Sequence, residues 1–267
     1  MISGRSRLIV LLGNPVGHSL SPAMQNAAFR VLGLDAVYAP LCCAAEDVPA
    51  AMDLLVRAGG GGNVTVPHKS VAAAHLAESS TRVMALGACN TFWPGDLGPA
   101  GDNTDVDGVL EALHSVDAPG SAWLVVGTGG SARAVVAAAA ERGAALAVRS
   151  RDPERQRAFA AFAASLGVPR ADPAACEVVI NATPLGLGPR DPLPLAPEEA
   201  PAAVAALDLV YARGETPWVR AMRARGCRAA DGRGVLVAQG ASSLERWFPG
   251  VRAPVEVMRA AVNDALR

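Results

Sequence analysis

Residues 123–134 read WLVVGTGGSARA, an apolar run that passes directly into glycines and then into small residues. This order is typical of a buried β-strand, a tight turn and the first turn of an α-helix. It fits the motif G-x-G-x-x-A, in which the glycines allow the turn and the approach of a pyrophosphate, and the small last residue allows close packing. Amides at the helix N-terminus would then face the phosphates. The segment predicts a dinucleotide-binding βαβ unit, although glycine turns also occur for packing alone.

The end of the next predicted strand indicates which dinucleotide would bind. An NAD site usually has an Asp or Glu about 20 residues beyond the glycine loop, where it holds the ribose 2′-hydroxyl. Here the chain reads Val148-Arg149-Ser150-Arg151, with no acid. Guanidinium groups and a hydroxyl suit a 2′-phosphate, so the sequence favours NADP(H) as the cofactor. The alternative is that Arg149 and Arg151 are solvated surface residues of an arginine-rich chain.

Short apolar runs alternate with helical patterns on both sides of this segment. Ser21 and Pro22 are expected to provide the N-cap and the first residue of one helix. The alternation predicts an α/β fold of two units that join near Val106. Strands are predicted over residues 8–12, 36–41, 63–66, 123–126, 145–148, 178–181 and 207–210, and helices over 21–31, 47–58, 107–115, 131–142, 152–166, 235–248 and 255–266. The intervening predictions are a chain break at 59–62, a turn region at 93–101 and a long proline-rich loop at 184–201.

Composition and charge argue against several classes of protein. The 267 residues are 51% hydrophobic, and 24 basic against 25 acidic residues leave a formal net charge of −1. This balance offers no basic field for nucleic acid and no basic run for a membrane surface. The apolar run at residues 8–12 is too short for a signal-peptide core or a membrane span. Five cysteines without C-x-x-C spacing predict reduced thiols and a cytoplasmic protein, and the histidines show no metal-ligand spacing.

Polar side chains are concentrated in the first half of the chain, near the ends of predicted strands. Open α/β sheets bind ligands beyond the carboxyl ends of their strands. Hydroxyls and amides there suit a polyhydroxylated ligand that carries a carboxylate. Tyr211 and Gln239 come much later and either close over such a ligand or lie in an interface. The polar residues of the first half are Ser19, Ser21, Asn63, Thr65, Lys69, Asn90, Thr91, Asn103, Thr104 and Asp105.

Lys69 is the single lysine among 24 basic residues. Lysine can donate a proton to a carbonyl oxygen during hydride transfer if burial lowers its pKa, whereas the pKa of arginine is too high. Asp105 is the plausible carboxylate partner that would orient the ammonium group. The competing interpretation is serious, because a Lys–Asp pair is more often a surface ion pair of little energetic value.

Seven motifs occur in a fixed order along nearly the whole chain. They are GNPVGHSLSP at residues 13–22, NVTVPHK at 63–69, GACNT at 87–91, DNTD at 102–105, GTGGSARA at 127–134, NATPLG at 181–186, and DGRG at 231–234 followed by Gln239. Each motif alone is weak. Together they resemble the shikimate dehydrogenase family.

The resemblance implies two domains and a reaction. An N-terminal α/β substrate domain, residues 1–105, would be completed by C-terminal helices at 236–267, and residues 106–235 would form a Rossmann-type NADP-binding domain, with a cleft between the two. The implied reaction is the reversible reduction of 3-dehydroshikimate to shikimate by NADPH, a step of the shikimate pathway. The small-molecule substrate would be the partner, and the protein would be a monomer or homodimer.

The resemblance also implies a role for individual residues. Lys69 and Asp105 would form the catalytic pair, with Lys69 giving or taking the proton. The substrate would be held by Ser19, Ser21, Thr65, Asn90, Tyr211 and Gln239. The cofactor would be held by Gly127, Gly129, Gly130, Ser131, Arg149, Ser150, Arg151, Asn181, Thr183 and Gly232.

Two departures from the family pattern affect substrate and cofactor choice. Val148 stands where the family commonly has Asn, and Arg213 stands where it often has Pro. Quinate and aminoshikimate dehydrogenases share most of these motifs, so a paralogue of that kind is one alternative. A non-catalytic NADP-binding sensor of the same fold is another, although such a sensor needs neither Lys69 nor Asp105.

Overall fold

The computed structural model describes residues 2–188 and 190–267. Met1 and Pro189, which fall within the predicted ranges 1–105 and 106–235, lie outside the described residues. The chain divides into two compact units. The first runs to Thr104 and resumes over Val237–Ala265, and the second comprises Asp105–Leu236. The predicted α/β class is confirmed, with one sheet in each unit.

The first unit is built on a six-stranded mixed sheet with the strand order β2-β1-β3-β5-β6-β4. Strands β1, β2 and β3 are mutually parallel, β5 is antiparallel to β3, and β6 is antiparallel to β5. The sheet reverses direction twice, so the beginning of β5 lies beside the end of β3. The strands are β1 (Arg7–Gly13), β2 (Ala36–Cys42), β3 (Gly61–Val64), β4 (Glu78–Ser79), β5 (Thr91–Pro94) and β6 (Pro99–Asp102).

Helices cover this sheet and bring in the C-terminal part of the chain. Trp247, at the end of α9, is buried; its indole nitrogen donates to the carbonyl of Phe92 at 3.1 Å, and its ring lies 5.9 Å from that of Tyr38. The predicted return of the C-terminal helices to the N-terminal sheet therefore has a direct hydrogen-bonded basis. The helices are α1 (Ser21–Val31), α2 (Val48–Arg57), α3 (Lys69–His75), α4 (Thr81–Leu86), α10 (Val255–Ala265) and, from Val237 onward, α9 (Gly232–Trp247), whose first residues belong to the second unit.

Two predictions about the first unit are wrong. Residues 59–62 do not break the chain before a strand at 63–66, because Gly61 and Gly62 already belong to β3. A Cβ on Gly62 would clash with the carbonyl oxygen of Val10, so the glycine lets neighbouring strands approach closely. Residues 93–101 are not only a turn, because β5 and β6 pair across them as a hairpin.

The start of α1 also differs from the prediction. Ser21 is the first residue of the helix and not its N-cap, a position that Leu20 occupies without a side-chain hydrogen bond. The hydroxyl of Ser19 accepts from the amide of Ser21 at 3.2 Å and so satisfies that amide. Ser19, two residues earlier, thus makes the hydrogen bond to the start of the helix, and the Ser21 hydroxyl is available for other contacts.

The second unit is a parallel sheet with the strand order β11-β10-β9-β7-β8. The apolar cluster on one face includes Leu124, Val179, Trp218 and Met222, and Val125 is buried on the opposite face. The strands are β7 (Ala122–Val126), β8 (Ala145–Arg149), β9 (Val178–Asn181), β10 (Ala205–Asp208) and β11 (Arg228–Ala230). The helices are α5 (Asp105–Ser115), α6 (Gly130–Arg142), α7 (Pro153–Ser165) and α8 (Pro217–Ala224).

The sequence patterns missed the shortest elements. Helices α3, α4 and α8 and strands β4 and β11 span only two to eight residues, too few for a clear period. Within the proline-rich loop at 184–201 the structure adds one short 3-10 turn, Pro197–Glu199. Among the described residues, no helix combines the length and the apolar character that crossing a bilayer requires.

Candidate active site

The polar residues of the first unit meet at one edge of its sheet. Thr65 follows β3, and its amide donates to the carbonyl of Leu12 near the end of β1 at 2.8 Å. Asn90 precedes β5, yet its carbonyl accepts from the amide of Val64 at 2.9 Å because β5 runs against β3. The reversal of β5 therefore brings a residue at the start of one strand to the edge where β1 and β3 end. We call this edge, where β1 and β3 end, the polar edge of the first unit.

Asn90 is the best-connected predicted residue on the polar edge. Its side-chain oxygen accepts from the amide of Thr104 at 2.7 Å, and its Nδ2 donates to the Thr104 hydroxyl at 3.0 Å. Its Nδ2 also lies 3.5 Å from Oε1 of Gln239, a residue 149 positions later in the chain. The structure thus brings together two of the predicted substrate residues, Asn90 and Gln239.

A buried cluster of hydroxyls lies directly behind Asn90. The hydroxyls of Thr91, Thr104 and Ser243 are mutually 2.8–3.0 Å apart, and Asn63 donates its Nδ2 to those of Thr91 and Ser243 at 3.0 Å. All of these side chains are at most 5% exposed. The cluster satisfies its own polar groups, which fixes the backbone on both sides of Asn90.

The same network reaches Ser21 through Tyr38. The Tyr38 hydroxyl donates to Oδ1 of Asn63 at 2.8 Å and is also hydrogen-bonded to the Ser21 hydroxyl. Burial strongly raises the pKa of the Tyr38 phenol, and the bond with Ser21 offsets only part of that rise. Tyr38 therefore stays protonated. Its single proton goes to Asn63, so its oxygen accepts from the Ser21 hydroxyl and holds Ser21 at the polar edge.

Asp102 supports the strand end that leads into the predicted Asn103-Thr104-Asp105 segment. Its Oδ1 accepts from the Ser80 hydroxyl at 2.6 Å and from the amide of Asn103 at 2.7 Å, and its Oδ2 accepts from Nη2 of Arg246 at 2.7 Å. Burial alone would raise the pKa of Asp102. The hydrogen bonds from Ser80, Arg246 and Asn103, together with the charge of Arg246, outweigh burial and lower that pKa below its ordinary value.

Lys69 is the first residue of α3, partly buried, and its carbonyl accepts from the amide of Cys89 at 2.9 Å. This bond ties the start of α3 to the residue before Asn90, so Lys69 belongs to the polar edge. Asp105, also partly buried, opens α5 and is the first residue of the second unit. The catalytic pairing of Lys69 with Asp105 stays a prediction.

The glycine loop of the second unit has the backbone that the sequence predicts. Gly127 follows β7 with φ of +111°, in the left-handed region that favours glycine. A Cβ at this position would lie 2.8 Å from the carbonyl oxygen of Ala182, whereas one on Gly129 or Gly130 would meet nothing within 4 Å. Gly129 is the N-cap of α6, and Gly130 and Ser131 form its exposed first turn. The helix N-terminus is therefore open to a phosphate.

A cavity of about 700 Å³ lies beside this loop. One side is formed by the loop and by Thr183, and the other by the end of β8, where Arg149, Ser150 and Arg151 are found. Arg155 and Glu199 also line it. The donors fit a phosphorylated dinucleotide: open helix amides at one end and guanidinium groups with a hydroxyl at the other. The carboxylate that NAD sites usually have at the end of β8 is absent, as the sequence predicts.

Asn181 holds the wall of this cavity from behind. The residue is fully buried, and its Nδ2 donates to Oδ1 of Asp208 at 2.7 Å. Its Oδ1 accepts from the amide and the hydroxyl of Thr183 at 3.0 and 2.7 Å. Asn181 does not line the cavity, so any part it has in cofactor binding acts through Thr183, which does.

Tyr211 and Gly232 lie together in the second unit. A Cβ on Gly232 would lie 3.3 Å from Cδ1 of Tyr211 and would clash with the carbonyl oxygen of Leu209. The glycine thus leaves space under the tyrosine ring. Burial raises the pKa of the Tyr211 phenol, so it remains a hydrogen-bond donor at neutral pH.

Comparison with known proteins shows which family this chain matches. Residues 11–92 match the model of the shikimate dehydrogenase substrate-binding domain, and residues 232–262 match that of the shikimate 5′-dehydrogenase C-terminal domain. A shikimate dehydrogenase (NADP(+)) of Microcystis aeruginosa is 37% identical over an alignment that covers 98% of each chain. The chain belongs to the shikimate dehydrogenase family.

Solved structures of this family agree with that membership over the whole fold. A shikimate dehydrogenase crystallised with NADP+ is 31% identical, with a TM-score of 0.92 over 100% of this chain and 98% of the other. The Thermus thermophilus enzyme, crystallised with NADP(H) and shikimate, is 34% identical, with a TM-score of 0.88 over 100% of both chains. The resemblance that the seven motifs suggest is confirmed.

Several residues of the candidate site lie outside the seven motifs of this shikimate dehydrogenase family member. Ser243 and Arg246 follow Gln239 on α9 at spacings of four and seven, which places all three on one helix face. That polar i, i+4, i+7 spacing was the available signal. Arg155 and Glu199 carried no such signal, because only the fold brings them to the cofactor cavity.

Proposed function

We propose that this protein catalyses the reversible, NADP-dependent reduction of 3-dehydroshikimate to shikimate. The observation that carries the proposal is the presence, in one chain of this family, of two complementary sites. The polar edge of the first unit offers hydroxyl, amide and ammonium groups, and the cavity of the second unit offers an open helix N-terminus and an arginine-lined end. Residues 1–105 with 236–267 would bind the substrate, and residues 106–235 would bind the cofactor.

The substrate would be held at the polar edge by groups that the fold orients in advance. Ser19, Ser21, Thr65, Asn90 and Gln239 would contact its carboxylate and ring hydroxyls. The orientation of Asn90 is set by its two bonds to Thr104, and that of Ser21 by Tyr38. Tyr211 would donate a hydrogen bond from its phenol to the substrate. Preorganised donors lower the entropy that binding must lose, which supports selective recognition of a small, polar ring.

Lys69 would transfer the proton that accompanies reduction. When bound, NADPH supplies the hydride, and the developing alkoxide needs a proton at the same oxygen. An ammonium group can give that proton and take it back in the reverse direction, whereas a guanidinium cannot be deprotonated at physiological pH. Asp105 would orient Lys69 and balance its charge. Lys69 and Asp105 would therefore carry the acid–base chemistry, while the other residues named would bind the substrate.

The cofactor would lie in the cavity of the second unit. Gly127, Gly129, Gly130 and Ser131 would hold the pyrophosphate against the start of α6. Arg149, Ser150 and Arg151 would hold the 2′-phosphate, and Thr183 and Gly232 would lie along the nicotinamide half. The five free cysteines are consistent with action in a reducing compartment, the cytoplasm. The protein would act as a monomer or homodimer.

A substrate panel tests this function. Purified protein is assayed for reduction of NADP+ with shikimate, quinate and aminoshikimate, and kcat/KM is compared. We expect the highest value with shikimate. A higher value with quinate or aminoshikimate would identify a paralogue, and tight NADPH binding without turnover of any of the three would indicate a sensor. NAD+ in place of NADP+ provides the cofactor comparison.

A further inference from the structure

A carboxylate lies at the arginine-lined end of the cofactor cavity, where the sequence predicts only basic and hydroxyl groups. Glu199 comes from the 3-10 turn Pro197–Glu199, fifty residues after the end of β8. Its Oε2 lies 3.0 Å from Nη2 of Arg149, and the two side chains are 50% and 44% exposed. Both residues line the same cavity. Arg149, the proposed ligand of the 2′-phosphate, is therefore already paired with an acid.

The position of Glu199 is built into the fold. The chain on either side of it is anchored by Leu195 and Ala200, which are 2% and 7% exposed and belong to the apolar core of the second unit. The guanidinium of Arg225 donates to the carbonyl oxygens of Pro197 and Ala200. These anchors hold the backbone of the turn in place, so the fold keeps Glu199 within reach of Arg149.

The other acid in the cavity is occupied elsewhere. Oδ1 of Asp152 accepts from the amides of Glu154 and Arg155 and caps α7. Its Oδ2 lies 3.5 Å from Nε of Arg155. Asp152 is thus committed to the start of the helix, and Glu199 is the acid that contacts the proposed phosphate ligand.

We infer that Glu199 sets the balance between NADP(H) and NAD(H) by competing with the 2′-phosphate for Arg149. The inference rests on the proposed function, because it assumes that the adenosine ribose lies at this end of the cavity. A 2′-phosphate carries up to two negative charges. To bind the Arg149 guanidinium, it must either share that group with Glu199 or displace the Glu199 carboxylate from it. A 2′-hydroxyl carries no charge and can donate to the Glu199 carboxylate, as it does to the acid of an NAD site. Glu199 therefore disfavours only the phosphorylated cofactor.

Neutralising the acid tests this role. In Glu199→Gln we expect the KM for NADPH to fall about two- to fivefold, which is the range for a solvent-exposed ion pair. The KM for NADH should stay the same or rise. Glu198→Gln is the matched control, because Glu198 is exposed, adjacent and outside the cavity lining, and it loses the same charge. An equal fall in both KM values, no change in either, or the same effect in Glu198→Gln would overturn the inference.

A double-mutant cycle asks whether Glu199 acts through Arg149. Arg149→Ala should raise the KM for NADPH and spare NADH. Added to that background, Glu199→Gln should no longer lower the KM for NADPH. An undiminished effect of Glu199→Gln without Arg149 would mean that the carboxylate acts on the phosphate directly and that the proposed competition is wrong.

A binding measurement separates the inference from the proposed function. Calorimetric titration with adenosine 2′,5′-bisphosphate and with adenosine 5′-phosphate needs no turnover. Glu199→Gln should tighten binding of the bisphosphate about two- to fivefold and leave the monophosphate unchanged. If this holds while shikimate is not oxidised, the inference stands and the proposed function fails. If shikimate is oxidised with NADP+ while both ligands respond equally to Glu199→Gln, only the inference fails.

Discussion

The ion pair between Arg246 and the buried Asp102 leads to a prediction about stability. Arg246→Met keeps the length and the apolar stem of the side chain but removes the guanidinium. Nη2 and Nε of Arg246 reach Oδ2 of Asp102 at 2.7 and 3.2 Å, and the Asp102 side chain is only 7% exposed. The substitution therefore leaves a buried carboxylate oxygen without two charged donors, which is among the costlier single changes a core can undergo.

The magnitude follows from what remains around Asp102. Removing one partner of a fully buried pair costs about 3–5 kcal/mol. The Arg246 side chain is 38% exposed, so solvent already screens part of the interaction. Asp102 also keeps its bonds from Ser80 and from the amide of Asn103. We expect a loss of about 2 kcal/mol at pH 7, measured by urea denaturation followed by circular dichroism.

The pH dependence gives the prediction a second, independent test. The folded-state pKa of Asp102 lies below the ordinary value of 3.8. The stabilisation by the pair is therefore complete above that value and is lost as the pH falls through the lower, folded-state pKa. In Arg246→Met, burial without the guanidinium should raise the pKa of Asp102, so protonation should relieve the defect. The difference between the two proteins should be largest near neutral pH and shrink below about pH 4.

Arg259→Met is the control for the loss of a guanidinium. Nε of Arg259 lies 3.6 Å from Oε2 of Glu256 in an exposed pair on α10, so its removal should cost less than about 0.5 kcal/mol. The reasoning is refuted if both variants lose the same stability at pH 7. It is also refuted if the deficit of Arg246→Met is as large at about pH 3 as at pH 7.

Three further predictions concern the candidate site. Lys69→Ala should lower kcat about 10²- to 10⁴-fold with little change in the KM for shikimate, and steady-state kinetics with near-normal kcat would exclude the proton-transfer role. Gly127→Ala should weaken NADPH binding at least tenfold in a fluorescence titration, because a Cβ there would lie 2.8 Å from the carbonyl oxygen of Ala182. The control is Gly129→Ala, whose Cβ would meet no atom within 4 Å and which should bind NADPH far better than Gly127→Ala. Ser243→Ala should cost about 1 kcal/mol in urea denaturation and raise the KM for shikimate, since Asn90 loses part of its support; unchanged stability would show that the hydroxyl cluster rearranges without cost.

Local signals in the sequence were sufficient for most of the fold. The run of residues 123–134 predicted a strand, a turn and a helix, and β7, Gly127 in its left-handed conformation and α6 follow in that order. Such features are set by neighbours within a few residues, so an apolar run, a glycine and a helix-forming stretch are enough. The same reasoning wrongly predicted a chain break at residues 59–62, because Gly61 and Gly62 are required by contacts with other strands and not by a turn.

The residue types of the candidate site were visible in the sequence, but their arrangement depended on tertiary structure. Motifs identified Asn90 and Gln239, yet only the reversal of β5 and the return of α9 bring their side chains to 3.5 Å. The hydroxyls of Ser243 and Thr91 and the Arg246–Asp102 pair arise in the same way. Contacts over 140 or more residues leave no local pattern, because each partner is an ordinary polar residue until the sheet and helix meet.

The cofactor cavity shows the same division at its arginine-lined end. The sequence by itself determined that β8 ends in Arg149-Ser150-Arg151 without an acid, and this composition predicts a phosphate site. Only tertiary structure decided that an acid is nevertheless present, because a proline-rich turn anchored in the core carries Glu199 to within 3.0 Å of Arg149. Charge acts through space and not along the chain, so a motif records which groups a strand end offers, while the folded loop determines what faces them.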